Sequence, residues 1–159
     1  MAKGTRATKL LEQAGIAFRA VTYAYDSTAR SRGLQAAETL GEHPERVLKT
    51  LLALVDGRPV CAIMPSDHDI SMKRLAASLG GKSAQMMQPA DAERITGYRI
   101  GGISPFGQLR LLATVLDLRA LTHPLVYVNG GQRGLQLQLD PTCISTVLNA
   151  LTADLSAGL

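Results

Sequence analysis

The sequence predicts an α+β fold built on a mixed β-sheet. Helix-like and strand-like patterns are interspersed along all 159 residues. Asp56-Gly57 separates two apolar runs, Thr50–Val55 and Val60–Met64, which is a hairpin signal. A second pair of apolar runs, Leu125–Val128 and Leu135–Leu139, flanks Asn129-Gly130-Gly131-Gln132-Arg133-Gly134. Two hairpins demand antiparallel pairs and argue against a doubly wound parallel sheet.

The elements follow in order. Thr5 to Ala14 reads as a helix with Thr5 as N-cap, Leu10, Leu11 and Ala14 on one face, and Gly15 as the stop. Ile16 to Tyr25 is rich in strand formers. Asp26 to Gly33 is polar and reads as a loop, Leu34 to Leu40 as a short helix ended by Gly41. Pro44 to Lys49 opens like a helix, with Pro at its start and Glu45 in the first turn. After the first hairpin, Ser71 caps a helix to Leu79 that Gly80-Gly81 terminates, and Pro89 to Thr96 is a helix stopped by Gly97. Gly101 to Gly107 holds too much glycine and proline for regular structure. Leu111 to Leu116 is a strand. Asp140-Pro141 opens a last helix through Leu151.

Composition sets the class. Hydrophobic residues make up 46% and charged residues 19%, which is globular and not disordered. The length suits one domain, residues 1–159. The start, Met1 to Arg6, is polar and basic with no apolar signal core, and no apolar run approaches a membrane span. A cytoplasmic protein is expected. Cys61 and Cys143 are far apart and fit no metal-ligand spacing, in keeping with a reducing compartment. Net charge is +4. The excess lies in residues 1–32, where Lys3, Arg6, Lys9, Arg19, Arg30 and Arg32 face only Glu12 and Asp26. That end either tracks a phosphate backbone or is an ordinary solvated surface. Only six aromatic residues are present, too few to make a base-stacking platform evident.

Candidate chemistry is sparse. The loops at Gly101-Gly102-Ile103-Ser104-Pro105 and Asn129-Gly130-Gly131 either present backbone N–H groups to a phosphate or carbonyl oxygen or are two tight turns. Lys49, at a helix–strand junction, either points a charge into a pocket or favours its helix C-terminus. Cys61 and Cys143 read as core thiols. His43, His68 and His123 are scattered, and Asp67-His68-Asp69 reads as a solvated loop in preference to a metal site. No nucleophile elbow is present. No metal and no cofactor are expected. The residues alone lead to an α+β domain with a pocket for an anion or a carbonyl.

From Thr8 to Leu155 the chain resembles the YbaK/EbsC family of trans-editing domains. The resemblance rests on Ala7-Thr8-Lys9-Leu10-Leu11, Thr22-Tyr23 with Asp26, and Val47-Leu48-Lys49-Thr50-Leu51. It continues through Gly97-Tyr98, Gly101 to Gln108, and Tyr127 to Leu135. The Lys-Thr-Leu step and the Gly-Gly-Ile-Ser-Pro stretch are specific in combination. The resemblance implies a barrel-like mixed sheet flanked by helices. It implies release of cysteine from mischarged Cys-tRNA(Pro), and from Cys-tRNA(Cys), by attack of the substrate's own thiol on its ester. It implies aminoacyl-tRNA of the proline acceptor and prolyl-tRNA synthetase as partners. By resemblance, Lys49 would orient the terminal adenosine or its phosphate, and the Gly101 and Gly102 amides would face the carbonyl. Tyr23, Ser104, Asn129, Gly130, Gly131 and Gln136 would contact the substrate.

Two positions depart from the family's pattern. Asn129-Gly130-Gly131 stands where Ser-Gly-Gly is common, and Gly134-Leu135-Gln136 where Gly-Leu-Asp is common. Gln136 lacks the negative charge of an aspartate, which bears on recognition of the amino group and on the choice of amino acid. The alternatives are an Ala-tRNA(Pro)-type deacylase and a catalytically silent module that binds tRNA ends.

Overall fold

The computed structural model describes residues 4–26 and 32–159. Fifteen helices and strands are named here in chain order. They are α1 (Arg6–Gln13), β1 (Arg19–Thr22), α2 (Arg32–Leu40), β2 (Leu48–Val55), β3 (Arg58–Pro65), β4 (Asp69–Ile70), α3 (Met72–Ser78) and β5 (Ala84–Met86), followed by α4 (Pro89–Thr96), β6 (Ala113–Asp117), β7 (Val126–Asn129), β8 (Leu135–Leu139), α5 (Thr142–Leu148), β9 (Leu151–Ala153) and β10 (Ser156–Gly158).

Local chemistry explains most boundaries. Thr5 and Thr8 exchange side-chain and backbone hydrogen bonds in a capping box that starts α1. Asp56 and Gly57 both have positive φ, 49° and 81°, which matches the right-handed twist of the β2–β3 hairpin. Pro89 opens α4 and Gly97, at φ 79°, closes it.

The strands form a five-stranded mixed sheet in the order β5-β2-β3-β6-β9 and a three-stranded antiparallel sheet β1-β8-β7, with β4 and β10 paired apart. Both faces of β2 and β3 are covered. Leu48, Leu52, Cys61 and Ile63 pack between the two larger sheets with Val128, Leu137 and Phe106. Ala53, Val55, Ala62 and Met64 pack on the other face against Leu75 and Leu155. That two-sided burial is why these strands read as continuous apolar runs.

The α+β class and the mixed sheet agree with the sequence, but the sheet is not closed into a barrel. The two larger sheets touch through one parallel bridge, Val47 to Tyr127. The β2 ladder to β5 covers only Ala53–Val55, so the first half of β2 keeps an edge that no strand of the described residues covers. The gap left there is the site described below.

Several boundaries differ. Pro44 begins only a short 3₁₀ turn, Pro44–Arg46, because Leu48 and Lys49 already pair with Pro65 and Met64 of β3. Lys49 is therefore a strand residue and not a helix end. The strand expected over Ile16–Tyr25 shrinks to β1, the stretch that finds β8 as partner. The strand expected from Leu111 starts at Ala113, and Leu111 is 90% exposed. The last helix stops at Leu148 with Asn149 in the left-handed conformation, freeing Leu151–Ala153 to pair with β6. The expected loop of residues 26–33 falls largely outside the described residues.

Candidate functional site

A cavity of ≈ 390 Å³ opens at the uncovered edge of β2, between that strand, the β7–β8 hairpin, α4 and the loop after it. One wall is apolar, with Leu48, Leu52, Met87, Ala92 and Ile103. The polar groups are Tyr23, Lys49, Thr50, Asn129 and Gln136, with the backbone at Gly101.

Lys49 is half-buried. Desolvation lowers its pKa from the ordinary lysine value, and the nearby Asp69 and Asp67 carboxylates pull in the opposite direction. Tyr23 enters just past β1, its N–H donating to Gly134 O at 2.9 Å. Desolvation raises its phenol pKa, while contact with the Gln136 amide opposes the rise.

Asn129 and Gln136 are direct partners in the β7–β8 register, so their side chains share a face. The alternation Leu135-Gln136-Leu137-Gln138-Leu139 suggests two solvent-facing glutamines, yet Gln136 is only 4% exposed. Its Oε1 is buried with no hydrogen-bond partner, and so is Thr50 Oγ1. An unpaired buried acceptor costs about 1–3 kcal/mol. Both residues belong to the cavity wall. Thr50 had no signal of its own beyond its place in the Lys-Thr-Leu step.

The glycine loops are braced against each other. Asn129 Oδ1 accepts from Gly131 N at 2.7 Å, and its Nδ2 donates to Gly101 O at 3.1 Å. Gly101 has φ 89°, and a Cβ there would stand 2.2 Å from Tyr25 Oη. A Cβ on Gly102 would stand 2.8 Å from Arg133 N. Only glycine permits this approach.

Of the nine candidates read from the sequence, five meet at the cavity: Tyr23, Lys49, Gly101, Asn129 and Gln136. The other four lie elsewhere in the structure. Gly102 and Gly131 line a neighbouring cleft instead. The Gly102 N–H donates to Arg99 O at 2.8 Å, closing a turn. Gly130 packs on Leu135, and its N–H donates to Leu135 O at 2.9 Å. Ser104 is fully buried, and its Oγ accepts from Phe106 N at 3.1 Å, bracing the loop from within.

The cavity is lined by no His, Cys, Ser, Asp or Glu of the described residues. Both thiols sit in the core. Burial pushes Cys61 up to about 12, against a weak opposing contact from Gln108. Burial, reinforced by the Asp140 charge, pushes Cys143 up to about 11. His123 Nε2 lies 2.8 Å from Glu45 Oε1 and His68 Nδ1 lies 2.7 Å from Ser156 Oγ, both away from the cavity lining. Among the described residues no three His, Cys, Asp or Glu gather as a metal site.

Residues 30–145 match the family model of the aminoacyl-tRNA editing domain. This chain belongs to that family. Editing an aminoacyl-tRNA means releasing the amino acid from its ester, so the chain is an enzyme of the deacylase class. It is 31% identical over 153 residues to the putative Cys-tRNA(Pro)/Cys-tRNA(Cys) deacylase EbsC of Enterococcus faecalis, covering 96% of this chain and 93% of that one. It is 32% identical over 127 residues to the multifunctional Ser/Thr-tRNA deacylase ProXp-y of Escherichia coli, covering 73% and 74%. The fold matches the crystal structure of a putative trans-editing enzyme for prolyl tRNA synthetase, with a TM-score of 0.82, 23% identity and 96% of each chain covered.

Proposed function

We propose that this editing domain is a cytoplasmic trans-editing deacylase that releases cysteine from mischarged Cys-tRNA(Pro), and from Cys-tRNA(Cys), working beside prolyl-tRNA synthetase. The observation that carries the mechanism is the cavity lining, which among the described residues holds no Ser–His or Cys–His pair and no carboxylate to serve as base. A nucleophile carried by the substrate fits that lining. Cysteine brings a thiol that is a few per cent ionised near neutral pH and strongly nucleophilic.

In the step proposed, the substrate sulfur attacks its own ester carbonyl and forms a C–S bond. The bond from the carbonyl carbon to the tRNA 3′-oxygen breaks, and that oxygen takes up the proton the thiol gave up. The amino acid leaves as a thiolactone, and no water is consumed. The protein holds the ester in attack geometry and stabilises the charge that builds on its oxygen. Lys49 orients the terminal adenosine or its phosphate. The Gly101 amide faces the carbonyl, without help from Gly102. Gln136 Oε1 and Thr50 Oγ1 accept from the substrate amino group, which satisfies both unpaired acceptors. Tyr23 and Asn129 close the polar wall, and the Met87, Ala92 and Ile103 wall receives a small side chain.

The second reading is release of serine or threonine, favoured by the likeness to ProXp-y. The test is a side-by-side rate measurement on cysteinyl-, seryl- and alanyl-tRNA of the proline acceptor, with the released product identified by mass. Cysteine released fastest, as a thiolactone, supports the proposal. Serine released as fast assigns the chain to the second reading. Alanine released as fast removes the thiol mechanism, and no release from any of them leaves a binding module.

A further inference from the structure

A second cleft, ≈ 530 Å³, lies on the far side of the wall that Gly101-Gly102 and Asn129-Gly131 build between them. Four basic side chains line it, Arg6, Lys9, Arg99 and Arg133, and no acidic one of the described residues does. All four are exposed. They come from three places in the sequence: α1, the turn after α4, and the loop after β7. Two of them belong to the basic first 32 residues, and the fold adds two more from beyond residue 98.

Two of the four are held in place. Arg6 Nε donates to Gly107 O at 2.9 Å, with its guanidinium 4.7 Å from the Tyr98 ring centroid. Arg133 Nε donates to Ile100 O at 2.9 Å, with its guanidinium 5.3 Å from the Tyr25 ring centroid. A guanidinium carries five N–H donors, so each retains some for a ligand. Four like charges gathered round one cleft give it a positive potential, which suits a partner that carries the opposite charge at regular intervals. Tyr98 is buried and its hydroxyl donates to Phe106 O at 2.6 Å, so no aromatic face is offered to a base.

We infer that this cleft is the seat of the phosphodiester backbone of the tRNA acceptor end, whose terminal ester enters the neighbouring cavity. The inference rests on the deacylase reading for the occupant, and on the cleft itself for the place. Because the contacts are to phosphate and not to base edges, binding is indifferent to tRNA sequence and steep in salt.

The test uses Lys9→Glu/Arg99→Glu, which spares the two arginines that hold loops. Uncharged tRNA is titrated by fluorescence anisotropy at several salt concentrations. Deacylation is measured on cysteinyl-tRNA and on the cysteinyl ester of adenosine, which has no phosphodiester. The expected result is at least about a tenfold weaker affinity for tRNA and a salt slope shallower by about two contacts. The preference for cysteinyl-tRNA over the adenosine ester should fall by a similar factor, and Lys9→Arg/Arg99→Lys should keep it. Unchanged tRNA affinity and salt slope overturn the inference and leave the cleft to an acidic protein face. Equal loss on both esters overturns it as well. If the wild-type protein cleaves neither ester while the charge reversal abolishes tRNA binding, the deacylase reading fails and the cleft stands.

Discussion

Asn129 Nδ2 donates to the carbonyl of Gly101 at 3.1 Å, while its Oδ1 accepts from Gly131 N and Gln132 N. One side chain thus ties both glycine loops into a single wall, between the candidate cavity and the basic cleft. A serine at this position lacks the reach to donate to Gly101 O and accept from the Gly131 loop at once. We expect Asn129→Ala to lower stability by about 1–3 kcal/mol and to reduce deacylation, because the Gly101 backbone loses its brace. Thermal unfolding and single-turnover rates check this. A variant with unchanged melting and rate removes the bracing role.

Lys49→Ala is expected to cut the deacylation rate at least about tenfold, or about 1.4 kcal/mol of transition-state stabilisation, with the fold retained. Its pH dependence carries a sign. Because desolvation lowers the Lys49 pKa, the charged form is lost below the ordinary lysine value, and activity should fall on an alkaline limb below it. Asp69 holds that pKa up, so Asp69→Asn should move the limb to lower pH. A limb that moves up, or that persists in Lys49→Arg, assigns it to another group.

Gln136→Leu separates a binding group from a structural one. Gln136 Oε1 has no partner among the described residues and the amide's side-chain contact is with Tyr23, so replacing it with an apolar group of similar size should cost no more than about 1 kcal/mol of stability. The specificity constant kcat/KM should nevertheless fall by about tenfold if that oxygen receives the substrate amino group. Equal activity in Gln136→Leu sinks the assignment.

Cys61→Ser and Cys143→Ser, singly and together, are expected to retain activity per folded molecule. Both thiols are buried with raised pKa values, so neither is an activated nucleophile. A hydroxyl in the core costs about 1–3 kcal/mol, so rates must be normalised to folded protein. A well-folded double variant without activity would make one of these thiols the nucleophile.

What the sequence determined by itself was whatever depends on neighbours along the chain. Thr5 with Thr8, Asp56-Gly57, and Pro89 with Gly97 fixed helix ends and a hairpin through bonds that close within a few residues. The apolar runs of β2 and β3 announced the two strands of a hairpin. The motif at Lys49-Thr50-Leu51 pointed to the editing family before any geometry was known. Tertiary structure decided the rest, because the deciding partners lie far off in the chain. Pairing with Pro65 and Met64 turned Leu48-Lys49 from a helix end into strand, setting Lys49 on the open edge of β2. Alternation alone would turn Gln136 to solvent, and the cavity buries it instead. The turn from Arg99 consumed the Gly102 amide, and Phe106 engaged Ser104. No sequence window shows Arg6 and Lys9 sharing a cleft with Arg99 and Arg133, since only the packing of α1 against two distant loops brings those charges together.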